Sequence, residues 1–256
     1  MIANYHTHTW RCKHAVCGER EYVEQAIAGG MKILGFADHT PYPFPDGYVS
    51  YFRMAPNRAE DYFQTVSDLK REYAADIEIH IGVEAEYYPE HFDTMLRFLA
   101  DYPCEYMLMG QHFTHNERDG VYAGQCTGKE DDLTQYVSQV LEGLSTGAFT
   151  YLAHPDLLNW QGSEEIYRQE MERLCRGVKA LDLPLEINLL GLYEHRHYPK
   201  ELFWQIAGEV GNTAILGCDA HQPEGLNRPG TAEAGRALAK KYGLPLLETV
   251  ELRPLA

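Results

Sequence analysis

The sequence predicts an α/β chain whose parallel strands close into a barrel, and three observations carry that expectation. Short β-rich runs alternate with helical patterns along almost the whole chain, the order in which helical crossovers join parallel strands. There are seven such runs, enough to close a barrel, and 256 residues is an ordinary length for one. Six of the seven deliver a histidine or carboxylate at their C-terminal end, where parallel barrels assemble sites from residues distant in sequence.

The first run, IANY (2–5), leads into His6 and His8. EREYVEQAIAGG then carries apolar residues three and four apart, with Gly29 suited to a helix end. KILGFA (32–37) leads to His39. Residues 41–56, PYPFPDGYVSYFRMAP, are rich in proline and aromatics and read as a long ordered loop. NRAEDYFQTVSDLKREYA is helical, with Asn57 and Glu60 spaced as a capping box. IEIHIGV (77–83) leads to Glu84 and is followed by the helical PEHFDTMLRFLADY; YMLMG (106–110) leads to His112 and is followed by KEDDLTQYVSQVLEGLSTG, which Gly147 closes. FTYLA (149–153) leads to His154, with SEEIYRQEMERLCRGVKALD after it. LPLEINLL (183–190) is the one run with no ligand at its end. PKELFWQIAGEVG places Pro199 at a first helical position and Gly211 at the end, AILGC (214–218) leads to Asp219 and His221, and GTAEAGRALAKKYG is a final helix.

Composition narrows the function classes. With 22 basic and 38 acidic residues, the formal net charge of −16 opposes binding to a nucleic-acid backbone unless cations are added locally. Bound metal ions are one such addition. No stretch approaches the roughly 18–20 apolar residues of a membrane span, and the N-terminus lacks the basic region and apolar stretch of a signal peptide. The expected location is cytoplasmic, with no membrane partner. Cys12, Cys17, Cys104, Cys126, Cys175 and Cys218 form no C-x-x-C pair, so reduced thiols are expected. With 45% hydrophobic residues and no repeat, residues 1–256 are expected to form a single domain.

Neutral imidazole and ionised carboxylate are the usual ligands of zinc, manganese and iron, and a set without thiolate suits hydrolysis. His6 and His8 stand two apart and project to one face of a strand, so both can hold the same ion; Asp219 and His221 share that spacing. Glu84, at the end of a central strand, can bridge two ions with its two oxygens. His112 and His154 complete the second ion, and His14, His39 and His221 make a third. Asp38 and Thr40 are expected to hold loops or to hydrogen-bond the ligands, and Glu86 shares a face with Glu84. His80, His91, His115, His195 and His197 do not fit the pattern and read as structural or solvated. Cys12 and Cys218 flank ligands and read as small buried hydrophobes.

HTH at 6–8, His14, ADH at 37–39, GVEAEY at 82–87, GQHF at 110–113, AHPD at 153–156 and CDAH at 218–221 form an ordered set over essentially the whole chain. That set resembles the polymerase and histidinol phosphatase (PHP) family, and within it the histidinol-phosphate phosphatase branch. The resemblance implies a distorted, TIM-like (β/α)7 barrel with a trinuclear metal centre that hydrolyses phosphate esters, and with it a place in histidine biosynthesis. It also implies the ligand groups: His6, His8, Glu84 and Asp219 for the first ion, Glu84, His112 and His154 for the second, and His14, His39 and His221 for the third. The metal is zinc, manganese or iron.

The reaction expected is attack on a phosphomonoester by a metal-bridging hydroxide, with Glu84 and Asp219 in catalytic roles and Asp219 or a histidine of the third group protonating the leaving alkoxide. The branch generally carries basic residues after strands five and six. GLYEHRHYP supplies Arg196 after strand six as a phosphate ligand; AHPDLLNW has Asn159 and Trp160 after strand five, a departure from the pattern. Two alternatives stand beside this reading. One is a PHP phosphoesterase acting on a nucleotide, a sugar phosphate or a phosphotyrosyl protein; the other is a metal-binding regulatory domain without turnover, which loss of the ligand set would mark. A nuclease is disfavoured by the charge of −16 and the lack of a basic aromatic stripe.

Overall fold

The computed structural model describes residues 1–255. Eight parallel strands follow one another around a single sheet in chain order. They are β1 (Ala3–Asn4), β2 (Ile33–His39), β3 (Glu78–Ala85), β4 (Tyr106–Met109), β5 (Tyr151–Leu152), β6 (Leu185–Asn188), β7 (Ala214–Gly217) and β8 (Leu246–Leu247). The helices are α1 (Glu19–Ala28), α2 (Ala59–Glu72), α3 (Phe92–Leu99), α4 (Glu130–Ser145), α5 (Glu164–Ala180), α6 (Leu189–Tyr193), α7 (Glu201–Val210) and α8 (Thr231–Lys241). Each of the seven expected strands forms. No helix among the described residues is long and apolar enough to cross a membrane.

The eighth strand is an addition to the sequence reading. Leu246 and Leu247 pair with Ala214 and Ile215, and a two-residue run beside a proline is too short to show strand periodicity. β8 lies next to β7 where Met1, Ala3, Ile215, Leu246 and Leu247 surround one small gap. At the opposite end β7 and β1 converge: Thr7 bridges to Ala220, the His8 amide donates to the Ala220 carbonyl at 2.9 Å, and the Ala220 amide donates to the His6 carbonyl at 3.3 Å. Asn4 secures this seam, accepting from the Cys218 amide at 2.8 Å while donating to Thr7 Oγ1 at 2.7 Å. The sheet therefore closes at the C-terminal ends of its strands, the end that carries the histidines.

Apolar residues occupy both faces of the sheet. Phe36, Ile79, Ile81, Val83, Met107, Leu152 and Ile187 face the helices and join the larger core. Tyr62, Phe63, Val66 and Leu69 of α2, and Tyr167, Met171, Leu174 and Val178 of α5, fall on single helical stripes and are buried there. Ala3, Tyr5, Ala37, Tyr106, Leu108, Tyr151, Ala153 and Ile215 form a second cluster inside the barrel, with Val250 and Leu252 of the C-terminal segment packed against it. Tyr106 donates to the carbonyls of Tyr5 and Phe36 at 2.6 and 3.1 Å, and its ring fills space that Gly35 and Gly82 leave by lacking a Cβ. Full burial of each large side chain here contributes roughly 1.5–3 kcal/mol.

Four local expectations change. Residues 56–58 form a 3₁₀ turn and Arg58 precedes α2, so Asn57 is not a cap. Pro199 lies before Lys200, the residue that caps α7, and not within the first turn. His91 caps α3 from outside it. The run 183–190 stops at Asn188, whose side chain accepts from the Gly191 amide at 2.9 Å and starts α6.

Candidate metal centre

All nine residues expected to ligate metal reach the closed end of the barrel, and Glu84 stands at their middle. Its side chain is 1% exposed. Oε1 lies 2.7 Å from His154 Nε2, 3.5 Å from His6 Nε2 and 3.7 Å from His112 Nε2, while Oε2 lies 3.0 Å from His39 Nδ1 and 3.6 Å from His8 Nε2. Asp219 Oδ1 is 3.1 Å from His8 Nε2 and 3.6 Å from His6 Nε2. Farther out, the His14 ring is 4.7 Å from His221 and 5.3 Å from His39, centroid to centroid. His8 sits between the groups, its ring 4.1 Å from His221 and 4.4 Å from His39, closer to the third group than its sequence position suggests.

One nitrogen of several rings is already committed, which aims the other at the centre. Nδ1 of His6 donates to Glu186 at 2.8 Å, that of His112 to Glu86 at 2.8 Å, that of His14 to the Cys12 carbonyl at 2.8 Å and that of His221 to the Asp219 carbonyl at 3.0 Å. His8 Nδ1 lies 3.4 Å from Asp38 Oδ1. Carboxylates and carbonyls accept only, so these contacts hold a proton on each Nδ1 and leave Nε2 as the nitrogen free to face an ion.

Backbone conformation and missing atoms finish the geometry. His154 and Asp219 have φ of 63° and 48°, in the left-handed region that non-glycine residues rarely occupy and that clusters at functional sites. A Cβ on Gly110 would strike the Glu84 carboxylate, and one on Gly217 would strike that of Glu186. Both carboxylates thus enter the barrel through space that only glycine leaves.

The electrostatics keep the two carboxylates ionised and divide the histidines. Burial works against ionisation of Glu84, yet His112, His6 and His39 hold its carboxyl well below the usual range; burial likewise opposes Asp219, which His6 and His8 keep low. Burial would lower His6, but Glu186, Asp219 and Glu84 push it well up, and hydrogen bonds to Asp219 and Asp38 lift His8 to about 9 against the same penalty. Burial and the His8 charge draw His14, His39 and His221 down, the last two although Glu84 and Asp219 lie 3.0 and 3.4 Å from them.

The donor set fits divalent ions. His39 Nδ1 and Glu84 Oε2 are buried 3.0 Å apart, yet neither makes a hydrogen bond; His154 Nδ1 and His221 Nε2 are also buried without a partner. Buried polar atoms left unsatisfied in a native protein call for an explanation such as a bound ion. Sets whose donor atoms lie within 4.8 Å of one another include His6, His8 and Asp219; His6, Glu84 and His154; His8, His39 and Glu84; and His14, His39 and His221. Cys12 also lies that near His8 and His221, but burial pushes its thiol far up and it accepts from the Ala15 amide at 3.3 Å, as suits a small buried hydrophobe.

A cleft of about 670 Å³ opens over this cluster. Tyr51, Phe52, Phe113, Tyr122 and Tyr198 wall it, with His14, His39, His112, His154, Asp219 and His221 at its base. Arg196 lines it as expected, hydrogen-bonded to Tyr198 OH at 2.7 Å and to Glu194 at 2.8 Å. Asn159 and Trp160 turn away and pair with residues 123–127, so they are not part of the wall. Sequence reasoning missed Arg228, which lines the cleft 3.8 Å over the Tyr193 ring from a loop without a motif. It also missed Glu186 and Asn188; the available signal was LEIN, where two polar residues alternate with apolar ones in the single run that delivered no ligand. His80 pairs with Glu78 and Glu105 and His197 with the Leu157 carbonyl, in line with structural roles.

Comparison with known proteins adds the family. The PHP domain profile matches residues 4–189, which holds every candidate ligand except Asp219 and His221. A Bacillus subtilis protein named histidinol-phosphatase is 34% identical over 249 residues, 85% of this chain and 92% of its own. A Deinococcus radiodurans protein is 25% identical over 87% of each chain. The crystal structure of a Lactococcus lactis histidinol phosphate phosphatase, complexed with zinc, L-histidinol and phosphate, shares the fold with a TM-score of 0.75 over 98% of this chain and 97% of its own, at 21% identity. With the profile spanning most of the barrel and its motifs meeting at one mouth, this chain belongs to the PHP domain family.

Proposed function

We propose that this protein is a metal-dependent phosphomonoester hydrolase acting on histidinol phosphate, with residues 1–256 working as one unit. The observation that carries the reading is the Glu84 carboxylate with His6, His8, His39, His112 and His154 within 3.7 Å of it. Identity of 34% to a histidinol-phosphatase supports the choice of substrate. His6, His8, Glu84 and Asp219 would hold one ion, Glu84, His112 and His154 a second, and His14, His39 and His221 a third. Zinc, manganese and iron all suit histidine and carboxylate donors.

Divalent ions would supply Lewis acidity, polarising the phosphoryl oxygens and making water acidic enough to attack near neutral pH. The protein's own groups do the rest. Arg196 binds a phosphate oxygen by exchanging part of its pairing with Glu194 for the stronger contact to a dianion. The aromatic walls at Phe52, Phe113 and Tyr122 pack against the imidazole ring of the substrate and exclude water. Asp219 lines the cleft as an ionised carboxylate and is placed to receive a proton from attacking water and return it to the departing alkoxide.

A second reading rests on those same walls, whose rings could stack on a nucleobase or a phosphotyrosyl ring. Phosphate release at fixed zinc or manganese concentration, from histidinol phosphate, nucleotides, sugar phosphates and a phosphotyrosyl peptide, separates the two. The first reading expects kcat/KM for histidinol phosphate to exceed the others by at least about a hundredfold, or roughly 2.7 kcal/mol; equal turnover of a nucleotide would replace it with the second.

A further inference from the structure

The loop at 41–56 sends Phe52 into the cleft and its neighbour, Arg53, into the protein. The Arg53 side chain is 1% exposed. Nε donates to Glu117 at 2.6 Å, Nη1 to the Thr40 carbonyl at 3.0 Å, and Nη2 to Glu86 at 2.9 Å and to Tyr88 OH at 3.2 Å. The rings of Phe52 and Tyr42 lie 4.5 and 5.1 Å from the guanidinium. A cation buried this deeply is tolerated only because nearly every donor is met by a carboxylate or an oxygen.

Glu86 connects this knot to the candidate metal centre. Its Oε2 receives Arg53 while its Oε1 receives His112 Nδ1 at 2.8 Å, so each oxygen has a separate task. The bond to Thr40 reaches the backbone immediately after His39, and the Met54 amide, one residue past Arg53, donates to the His39 carbonyl. His6 is oriented differently: its carboxylate partner, Glu186, is held by the neutral amide of Asn188 at 2.8 Å. Asp38, the carboxylate beside His8, likewise accepts from neutral donors, the Thr9 hydroxyl and the His39 amide, so of the three carboxylate-oriented rings only His112 depends on a charge delivered by a loop.

We propose that Arg53 is a positioning residue for the second metal position: it fixes Glu86 so that His112 presents Nε2 to Glu84, tying metal affinity there to the seating of the 41–56 loop. The proposal rests on the reading of His112 as a ligand. It assigns the loop a purpose beyond covering the cleft, because the wall residue Phe52 and the ligand-orienting Arg53 are adjacent and must seat together.

The test is zinc titration of the full-length protein against a chromophoric chelator, with folding checked by far-UV circular dichroism. Arg53→Lys and Arg53→Met are compared with Glu105→Gln, which removes a partly buried carboxylate paired with His80 and Lys70 at the far end of the barrel. Loss of a group that orients a metal-bound histidine typically weakens affinity by about 10–100-fold. The expected result is that loss at one zinc site of both Arg53 variants, parental affinity at the others, and parental affinity throughout in Glu105→Gln. Should Arg53→Met fail to fold, Arg53→Lys decides alone. Parental affinity at every site in Arg53→Lys, or an equal loss in Glu105→Gln, overturns the proposal. Absence of zinc binding by the parent protein would instead overturn the reading of His112 as a ligand.

Discussion

The mouth and the interior of this barrel are built from the same strands with opposite chemistry. Below the mouth, Tyr5, Tyr106, Leu108, Tyr151 and Ile215 fill the barrel; Tyr106 OH is satisfied by two carbonyls, and Tyr151 OH is the one buried polar atom of this cluster without a hydrogen bond. At the mouth, a few residues farther along those strands, Glu84 and Asp219 are buried among histidines, two backbone positions are strained and several polar atoms have no partner. Burying charge and holding strained backbone both cost free energy, so the apolar interior and the helix-facing core must offset what the mouth consumes. Stability and chemistry are thus separated along the strand axis, and substitutions at the two levels should have different consequences.

The largest expected effect is at the mouth. Glu84→Ala removes the one carboxylate that touches five of the histidines, and metal content and phosphate release should fall together, the latter by about a thousandfold or more, since Lewis-acid stabilisation amounts to several kcal/mol. Circular dichroism of the metal-free variant should match that of the metal-free parent. In the interior the pattern should invert: Tyr106→Ala is expected to lower stability by about 3–5 kcal/mol in urea titration, while the folded fraction keeps its metal stoichiometry. If Tyr106→Ala instead stripped metal without loss of stability, the separation would not hold.

Much of this division was legible in the sequence. The alternation of runs and helical stripes needs only local periodicity, and the residues at the run ends carry chemistry that surface positions seldom concentrate. What stayed hidden depends on partners brought together only by folding. Arg53 lies in a stretch without periodicity, and its four anchors, Thr40, Glu86, Tyr88 and Glu117, are scattered over almost eighty positions. Arg228 sits in a loop without a motif, and β8 pairs through two residues only. Asn57 and Pro199 have the residue types of caps, but the chain places each one step outside its helix.

Two smaller effects sharpen the comparison. Arg196→Gln should raise KM for the phosphate ester about tenfold, near 1.4 kcal/mol, with little change in kcat, because Glu194 already neutralises part of its charge. Initial-rate kinetics at saturating metal would show it. At the far end of the barrel, burial opposes ionisation of Glu105, yet hydrogen bonds from His80, Lys70 and the Ile81 amide bring its carboxyl down to about 2. A folded-state value below the unfolded one stabilises the protein above pH 4.5, and that contribution is lost as pH falls toward 2. The melting temperature of the metal-free Glu105→Gln variant should therefore depend less steeply on pH over that window than the parent's, by a small margin because the side chain is 33% exposed.

The central claim is that strand ends spread over two hundred positions grip cations together around Glu84. A crystal structure of the zinc-loaded protein, with anomalous data collected across the zinc edge, tests it most directly. Peaks are expected among His6, His8, Glu84 and Asp219 and again among Glu84, His112 and His154, with a further one among His14, His39 and His221. An anomalous map with no peak beside Glu84 in a protein that retains its fold would contradict the account.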